Sequence, residues 1–467
     1  MGERIGTERR KHSLIYFAAI TAGEMGFVLM YKFGMDFQNY ILTEIAGFST
    51  SAAANIVMVL GVLSMIVAPA FGAVMDKTEW KRGHKYSTWM FILPPIVAGL
   101  YILMALSLKL GANPLIIVAL ILLANVSADS LLFDLNKCTF ASVAADPAER
   151  TLATTVSNWN KSIGQLIALV LGSSVILFFS PSGSKWDATG LLYGLTIYGI
   201  AGVILFYIAA FTFRHNIEDA GKLKVSSQEK TPFFQVIKLA LSNKVLLVVL
   251  VTIIFTNCRG NLANQIQSYY FIYVIGDASK YSTYALYVQI ATIVGVMLIP
   301  AIKRWLIKES KWIFVITVAI NAFSHFAVLF LPRTYEMFVL TNIIGNATYA
   351  IKGAFELLLL ANAVDAVRYK MFKNNIHSVV PQGVTMAMFS MGLGICKIIC
   401  GYVRNACLAA IGYSSGVEAT PQLADGFVNI YALMSGIGML SGAIFFMIFY
   451  RLSDKKLTEM KAEMDAG

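Results

Sequence analysis

Five ionisable side chains stand inside long apolar segments: Glu24, Asp134, Lys161, Arg259 and Lys397. A charge in such surroundings is costly, so each group needs a partner on another helix, a water-filled path or a bound ligand. Carboxylates accept hydrogen bonds from hydroxyl groups, and ammonium or guanidinium groups bind carboxylates. Glu24 lies midway along its segment, where its chain cannot easily reach water. The set predicts binding of a polar solute, and its cations favour an anionic one.

Side-chain amides accompany these charges at helical spacing. Asn158 shares one stripe with Lys161, and Asn261 and Asn264 continue a stripe that begins at Asn257. Amides of this kind either hold neighbouring helices together or line a water-filled path between them. The density of the second stripe favours the path.

Some of the charges have competing interpretations. Asp134 shares a helical face with Lys137, so an internal ion pair is as well supported as a contact with a ligand. Lys352 and Glu356 are four residues apart and can pair with each other. Lys397 has no acid near it in the sequence. It needs a partner from another helix or from a ligand.

The elements that must position these groups are apolar segments of membrane-spanning length. Hydrophobic residues make up 57% of the sequence and charged residues 13%, whereas soluble proteins have about 45–50% and about 25%. About twelve blocks of about 20 residues are each long enough to cross a bilayer. We therefore predict an all-α polytopic membrane protein with twelve transmembrane helices in two six-helix bundles.

The net charge of +11 is explained by membrane topology, and we expect no nucleic-acid partner. Lys and Arg concentrate on alternate connections between the apolar segments, and such connections face the cytoplasm. They cluster at the amino terminus and near residues 77–85, 214–238, 303–311, 368–373 and 451–461. This pattern predicts a multi-pass protein of the cytoplasmic membrane with both termini in the cytoplasm.

The longest polar stretch inside the chain, residues 215–232, divides the apolar segments six and six. We predict an N-terminal bundle over residues 1–214, a cytoplasmic linker over 215–231 and a C-terminal bundle over 232–467. In carriers built from two halves, the solute site lies between the halves near the middle of the membrane. We expect a monomer surrounded by lipid.

Enzyme, cofactor and metal-site patterns are nearly absent from the sequence. The five cysteines, at positions 138, 258, 396, 400 and 407, lie in or near apolar segments and include no CxxC pair. We therefore expect neither a disulfide framework nor a zinc site. The stretch GYSSG (412–416) matches G-x-S-x-G but lacks the strand–turn–helix context of a hydrolase. We expect no enzyme activity, no cofactor and no metal.

Four stretches of the sequence together resemble one family of carriers. They are GAVMDKTEWKRGHKYSTW (72–89), ADPAERTLATTVSNWNKSIG (145–164), NQIQSYYFIYVIGD (264–277) and ANAVDAVRYKMFKNN (361–375). Through them the chain is similar to the glycoside–pentoside–hexuronide:cation symporter family, the melibiose permease-like carriers of the major facilitator superfamily. The four stretches occur in the family's order and cover most of the chain.

The resemblance implies a major facilitator fold and transport of a sugar or glycoside, in many members together with sodium or protons. It implies that Glu24 is the sugar-binding acid of the first helix and Lys397 the lysine of the eleventh. Positions that shape the cytoplasmic loops and the end of the tenth helix correspond to Asp76, Arg82, Gly83, Arg150, Asp365 and Tyr369.

The sequence also departs from the family pattern. Two aspartates that bind the coupling cation on the second helix are replaced by Ser64 and Ala68. A hard cation requires oxygen ligands with negative charge, so the usual sodium site looks dismantled. The arginine of the fifth helix is replaced by Asn158, with Lys161 one turn away, and the acid of the fourth helix falls one position from Asp134.

We therefore predict a secondary active transporter that moves a sugar, glycoside or sugar acid by alternating access. If transport is coupled, a proton on a carboxylate such as Glu24 or Asp134 fits better than sodium, because burial favours the protonated form. There are three alternatives, of which the last is disfavoured because the sequence lacks a catalytic constellation. They are a uniporter or exchanger of another small organic solute, a sensor that binds solute without moving it, and a membrane enzyme.

Overall fold

The computed structural model describes residues 13–78, 84, 86–136, 147–183, 185–219, 244–373 and 382–466. Over these residues the chain is a bundle of long helices. The helices are α1 (14–45), α2 (Thr50–Lys77), α3 (Tyr86–Lys109), α4 (Pro114–Asn136), α5 (147–178), α6 (Ala188–Glu218), α7 (Lys244–Val274), α8 (Lys280–Leu306), α9 (Ser310–Phe330), α10 (Tyr335–Lys373), α11 (Gln382–Ala410), α12 (Pro421–Phe449) and α13 (Asp454–Ala466).

The helices α1 to α12 have the length and composition of membrane spans. Eleven qualify individually, and α1 makes the twelfth as two helices, Leu14–Ile20 and Ala22–Asp36, bent by 41°. The predicted all-α architecture with twelve spans is confirmed. The helix α6 runs to Glu218, four residues into the predicted linker, and residues 220–243 lie outside the described residues.

Local sequence signals set where several spans begin. Asn113 and Thr420 accept hydrogen bonds from the first turns of α4 and α12 through their side chains, and a proline follows each of them. Asp187 accepts two such bonds at the start of α6. These side chains satisfy amide groups that have no partner inside the helix, and proline at the first helical position loses no hydrogen bond.

The two halves, α1–α6 and α7–α12, repeat the same packing. In the first half α3 packs on α6, and α1 packs on α5 and α6; in the second, α9 packs on α12, and α7 packs on α11 and α12. The halves meet where α2 packs on α11 and where α5 packs on α8. Because α8 is the counterpart of α2 and α11 the counterpart of α5, these two contacts are equivalent under the repeat. The internal duplication is therefore visible in the packing of the spans.

A matching pair of carboxylates strengthens the repeat. Glu218, at the end of α6, accepts hydrogen bonds from the backbone and hydroxyl of Ser87 in the first turn of α3. Asp454, just after α12, accepts the same two bonds from Ser310 in the first turn of α9, at 3.1 and 2.8 Å. A carboxylate at a helix N-terminus satisfies free amides and complements the helix dipole.

Seven of the described segments are single π-helical turns, which contain one residue more than an α-helical turn. They lie at Ile41–Ile45, Ser127–Leu132, Ile167–Leu171, Arg214–Glu218, Tyr270–Val274, Ile302–Leu306 and Ile430–Met434. The turns inside α4, α5 and α12 rotate the side chains that follow them relative to those before them, whereas the other four turns end their helices. Turns of this kind are frequent at functional sites.

Candidate functional site

An ion pair joins the two halves deep in the bundle. Lys397 of α11 places its Nζ atom 3.3 Å from Oδ2 of Asp129 in α4. The hydroxyl of Tyr31 in α1 donates to the other carboxylate oxygen of Asp129 at 3.0 Å. The side chains of Lys397 and Asp129 are 16% and 30% exposed. Lys397 thus has the partner on another helix that its isolation in the sequence required.

The π-helical turn Ser127–Leu132 carries Asp129. Its extra residue breaks the regular spacing between Ser130 and Asp134, so the helical face expected for Asp134 does not run straight. Asp134 lies one turn further along α4 and is partly buried. Sequence reasoning did not select Asp129, because its partner is 268 positions away.

The bend in α1 lies next to Glu24. At the bend, the amide of Asn160 in α5 donates to the carbonyl of Ala18 and to the hydroxyl of Thr21, each at 2.9 Å. A side chain that bonds to carbonyls freed from the helical ladder is a recognised cause of such a bend. Glu24 is partly buried just beyond this point.

Two further predicted residues lie on α5, and both are exposed: Asn158 and Lys161. The neighbouring Trp159 is 56% exposed. Asn158 and Lys161 are therefore not buried in a contact between α5 and a neighbouring helix. The structure does not bring Asn158 or Lys161 into a described hydrogen bond with the pair formed by Lys397 and Asp129.

A polar cluster fills the interior of the second half. Arg259 of α7 is 1% exposed, and its Nε donates to Nε2 of His325 at 3.1 Å. Its guanidinium group lies 4.6 Å from the centre of the Tyr349 ring. Lys352 and Glu356 form the ion pair that their spacing predicted. Arg259 therefore contacts α9 and α10 rather than the first half, and sequence reasoning missed His325.

The amide stripe of α7 connects this cluster to α10 and α11. Asn257 donates to Glu356 at 2.7 Å and accepts from Tyr349 at 3.2 Å. The amide of Asn261 donates to the Cys396 sulfur at 3.5 Å. Asn264 is partly buried. Asn257 and Asn261 thus hold neighbouring helices together, which was one of the two interpretations of the stripe; the sequence had favoured the other, a water-filled path.

A second network joins the halves at the end of the bundle where α1 leads into α2 and α7 into α8. We call it the closure network; its members are Asn39, Thr43, Glu44, Tyr269, Tyr273 and Tyr413. The Tyr269 hydroxyl lies 2.7 Å from the Asn39 amide and 2.6 Å from the Thr43 hydroxyl. The Tyr413 hydroxyl donates to Glu44 at 2.7 Å. Sequence reasoning missed this network, although paired tyrosines at 269–270 were a signal.

Of the predicted gating residues, Asp365 and Tyr369 lie toward the opposite end, where α13 follows α12. The Tyr369 hydroxyl donates to Glu463 of α13 at 2.7 Å, and Lys373 pairs with the same carboxylate at 3.1 Å. The hydroxyl of Tyr369 and the ammonium of Lys373 lower the pKa of Glu463. Asp365 is partly buried on α10.

Four further gating residues lie wholly or partly outside the described residues. Arg82 and Gly83 lie outside the described residues. Asp76 and Arg150 belong to α2 and α5, but their side chains are also outside the description. Between α2 and α3, Nε2 of His84 lies 2.7 Å from Oδ1 of Asp219, the residue after α6.

Comparison with known proteins identifies the family of the chain. A profile of the MFS/sugar transport protein family matches residues 17–454. The chain is 20% identical to the "Uncharacterized symporter YjmB" of Bacillus subtilis, over 95% of this chain and 93% of the relative. It is 20% identical to the "Putative glycoside/cation symporter YagG" of Escherichia coli, over 91% and 89%. It is 28% identical to the lactose permease of Lactobacillus delbrueckii, over 52% of this chain and 39% of that protein.

Solved structures show the same fold. Crystal structures of the nucleoside transporter NupG superpose with TM-scores of 0.64 and 0.60, covering 94% of this chain and all of NupG at 14% identity. The expected major facilitator architecture is confirmed, and the resemblance noted in the sequence agrees with the family profile. The chain is a membrane transporter that belongs to the MFS/sugar transport protein family.

Proposed function

We propose that the protein moves a sugar, glycoside or sugar acid across the cytoplasmic membrane by alternating access, with the solute site between its two halves. The observation that carries the proposal is the ion pair between Lys397 and Asp129. It crosses between the halves, it is partly accessible, and Tyr31 adds a hydroxyl to it. Such a pair offers a cation for a carboxylate and oxygen acceptors for hydroxyl groups.

The site residues take distinct roles in this proposal. Glu24, Asp129 and Asp134 accept hydrogen bonds from solute hydroxyls, and Asn158, Asn261 and Asn264 add amides. Lys161 and Lys397 bind a carboxylate of the solute or balance the acids. Arg259 acts from behind the site, because it is buried against His325 and Tyr349.

We further propose that the end carrying α13 faces the cytoplasm, since Lys and Arg are concentrated in the connections at that end. The closure network then lies at the outer face, which is closed in this structure. The opposite end, which carries Asp365 and Tyr369, must close when the closure network opens, and the resemblance in the sequence assigns Asp76, Arg82, Gly83 and Arg150 to the same task.

A proton is the proposed coupling ion. The second helix offers Ser64 and Ala68 where a sodium site needs carboxylates. Protonation of Asp129 would remove the counter-charge of Lys397 and so weaken the bridge between the halves. Asp129 thereby joins Glu24 and Asp134 as a carrier of the proton. Uptake should make the medium of energised cells more alkaline, and uptake without a pH change excludes proton symport.

The solute class is tested by a thermal-shift screen of sugars, glycosides, uronates and small anions on the purified protein. A ligand that binds only the folded state raises the unfolding temperature. We expect a shift with sugars or sugar acids that disappears in Lys397→Ala. Lys185→Ala, at an exposed loop position, is the matched control and should keep the shift.

Counterflow in proteoliposomes then separates transport from binding alone. Labelled solute should exchange against unlabelled solute trapped inside the vesicles. Binding without counterflow would indicate a sensor. Net uptake that ignores a proton gradient would indicate a uniporter or exchanger.

A further inference from the structure

Three thiols from two helices meet inside the second half. Cys258 of α7 and Cys396 and Cys400 of α11 place their sulfur atoms within 4.8 Å of one another. The Cys396 and Cys400 sulfurs are 3.7 Å apart, and both residues are buried. Cys407 lies outside the group, and Cys138 lies outside the described residues.

Helical geometry explains why sequence spacing did not reveal the cluster. Cys396 and Cys400 are four residues apart, so they lie on one face of α11. The third thiol comes from Cys258, the residue that begins the second segment of α7, Cys258–Tyr269. A site assembled from distant helices has no CxxC signature.

The spacing of the sulfurs fits a metal ion held by three thiolates. With metal–sulfur bonds of about 2.3 Å, a trigonal arrangement separates the sulfurs by about 4.0 Å. Thiolate and thioether ligands suit soft ions such as Cu(I), and Met434 packs against the same cluster. A Zn(II) ion prefers four ligands in a tetrahedral arrangement, and the described thiols number three in this cluster.

A buried cation beside the thiols provides the charge balance. Arg404 is one helical turn beyond Cys400 on α11 and is 3% exposed. Its Nη1 donates to the carbonyl of Asn261 at 3.1 Å, while Nε and Nη2 have no hydrogen-bond partner among the described residues. A buried guanidinium needs negative charge nearby. A metal–thiolate complex, which is anionic with a monovalent ion, supplies that charge.

We propose that Cys258, Cys396 and Cys400 bind one Cu(I) ion. Each thiol releases its proton on coordination, and no electron is transferred. The ion ties α7 to α11 at a point where Asn261 also contacts Cys396. None of the three ligands is among the residues assigned to the solute, so metal binding can be tested without knowing the solute.

The test is a Cu(I) titration of purified protein in detergent, in which the protein competes with the coloured bicinchoninate complex. The background variant carries Cys138→Ser and Cys407→Ser, so that it retains only the three clustered thiols. We expect one Cu(I) ion per protein in this background. Adding Cys258→Ser, Cys396→Ser or Cys400→Ser should weaken binding by at least about ten-fold, while each variant stays monodisperse in size-exclusion chromatography.

Three results would overturn the proposal. The first is loss of binding in the background variant, and the second is unchanged binding in all three serine variants. The third is a disulfide between Cys258 and either other cysteine, found by alkylation and mass analysis before reduction. Displacement of the bound ion by equimolar Zn(II) would overturn the choice of Cu(I).

Discussion

At the scale of single residues, the contact between Lys397 and Asp129 combines two tasks. It neutralises two charges that would be costly alone inside a membrane, and it joins the halves. Removing one partner leaves the other charge without its counter-ion. Removing both leaves neither charge, so the two changes should not add.

We expect Lys397→Ala and Asp129→Asn each to lower stability by about 1–2 kcal/mol, less than for a fully buried pair because both side chains are partly exposed. The double variant should be less destabilised than the sum of the single changes. Unfolding temperatures of the purified variants check this. Additive losses would show that the two side chains do not interact.

The hydroxyl of Tyr269 provides the second residue-scale prediction. Tyr269→Phe removes the contacts to Asn39 and Thr43, each worth about 1 kcal/mol. The closure network should then open more often, so that an impermeant maleimide labels Ser282→Cys faster from outside. Tyr193→Phe, at an exposed position, is the control and should leave labelling unchanged. Equal rates in both variants would contradict the role given to the network.

Which site residues could be predicted from sequence depends on how far apart the partners are. The pairing of Lys352 with Glu356 followed from their spacing on one helix. Lys397 could be recognised as needing a partner, but the partner itself could not be found. Asp129 is 268 positions from Lys397 and lies on a π-helical turn that no sequence pattern predicts.

At the scale of helices, the matched caps make a comparison possible between the halves. Glu218→Gln and Asp454→Asn remove the charge at the starts of α3 and α9. Each should lower stability by about 1 kcal/mol, the usual contribution of a helix cap. Unfolding temperatures should fall by similar amounts, whereas Glu459→Gln, an exposed site on α13, should have no effect. A large loss of stability at one cap only would show that the two caps do not contribute equally, although their hydrogen bonds match.

The spans themselves were predictable because membrane helices depend on composition and length, both of which are local. Twelve apolar blocks gave twelve helices. Pairing between helices was not predictable, since it depends on shape. At the contact of α2 with α11, for example, a side chain at Gly61 would come within 2.7 Å of Ile398 and one at Gly401 within 2.9 Å of Val57.

At the scale of the whole molecule, alternating access requires that the closed end separate during each cycle. The hydroxyls of Ser174 in α5 and Ser282 in α8 are 2.7 Å apart across the two halves. A disulfide in the variant Ser174→Cys/Ser282→Cys should therefore hold that end shut. We expect counterflow to stop on oxidation and to return on reduction, while each single variant remains active. Full counterflow with the cross-link intact would mean that this end does not open.

The π-helical turns also affect how findings are transferred between relatives. A turn of this kind is the trace of a one-residue insertion, and one residue corresponds to about 100° around a helix. A sequence alignment that passes without a gap through the turn in α4, α5 or α12 will therefore equate side chains that face different directions beyond the turn, wherever the relative lacks the extra residue. Superposing backbones, then reading off equivalent positions separately on each side of every insertion, is the safer way to choose residues for exchange with a characterised carrier.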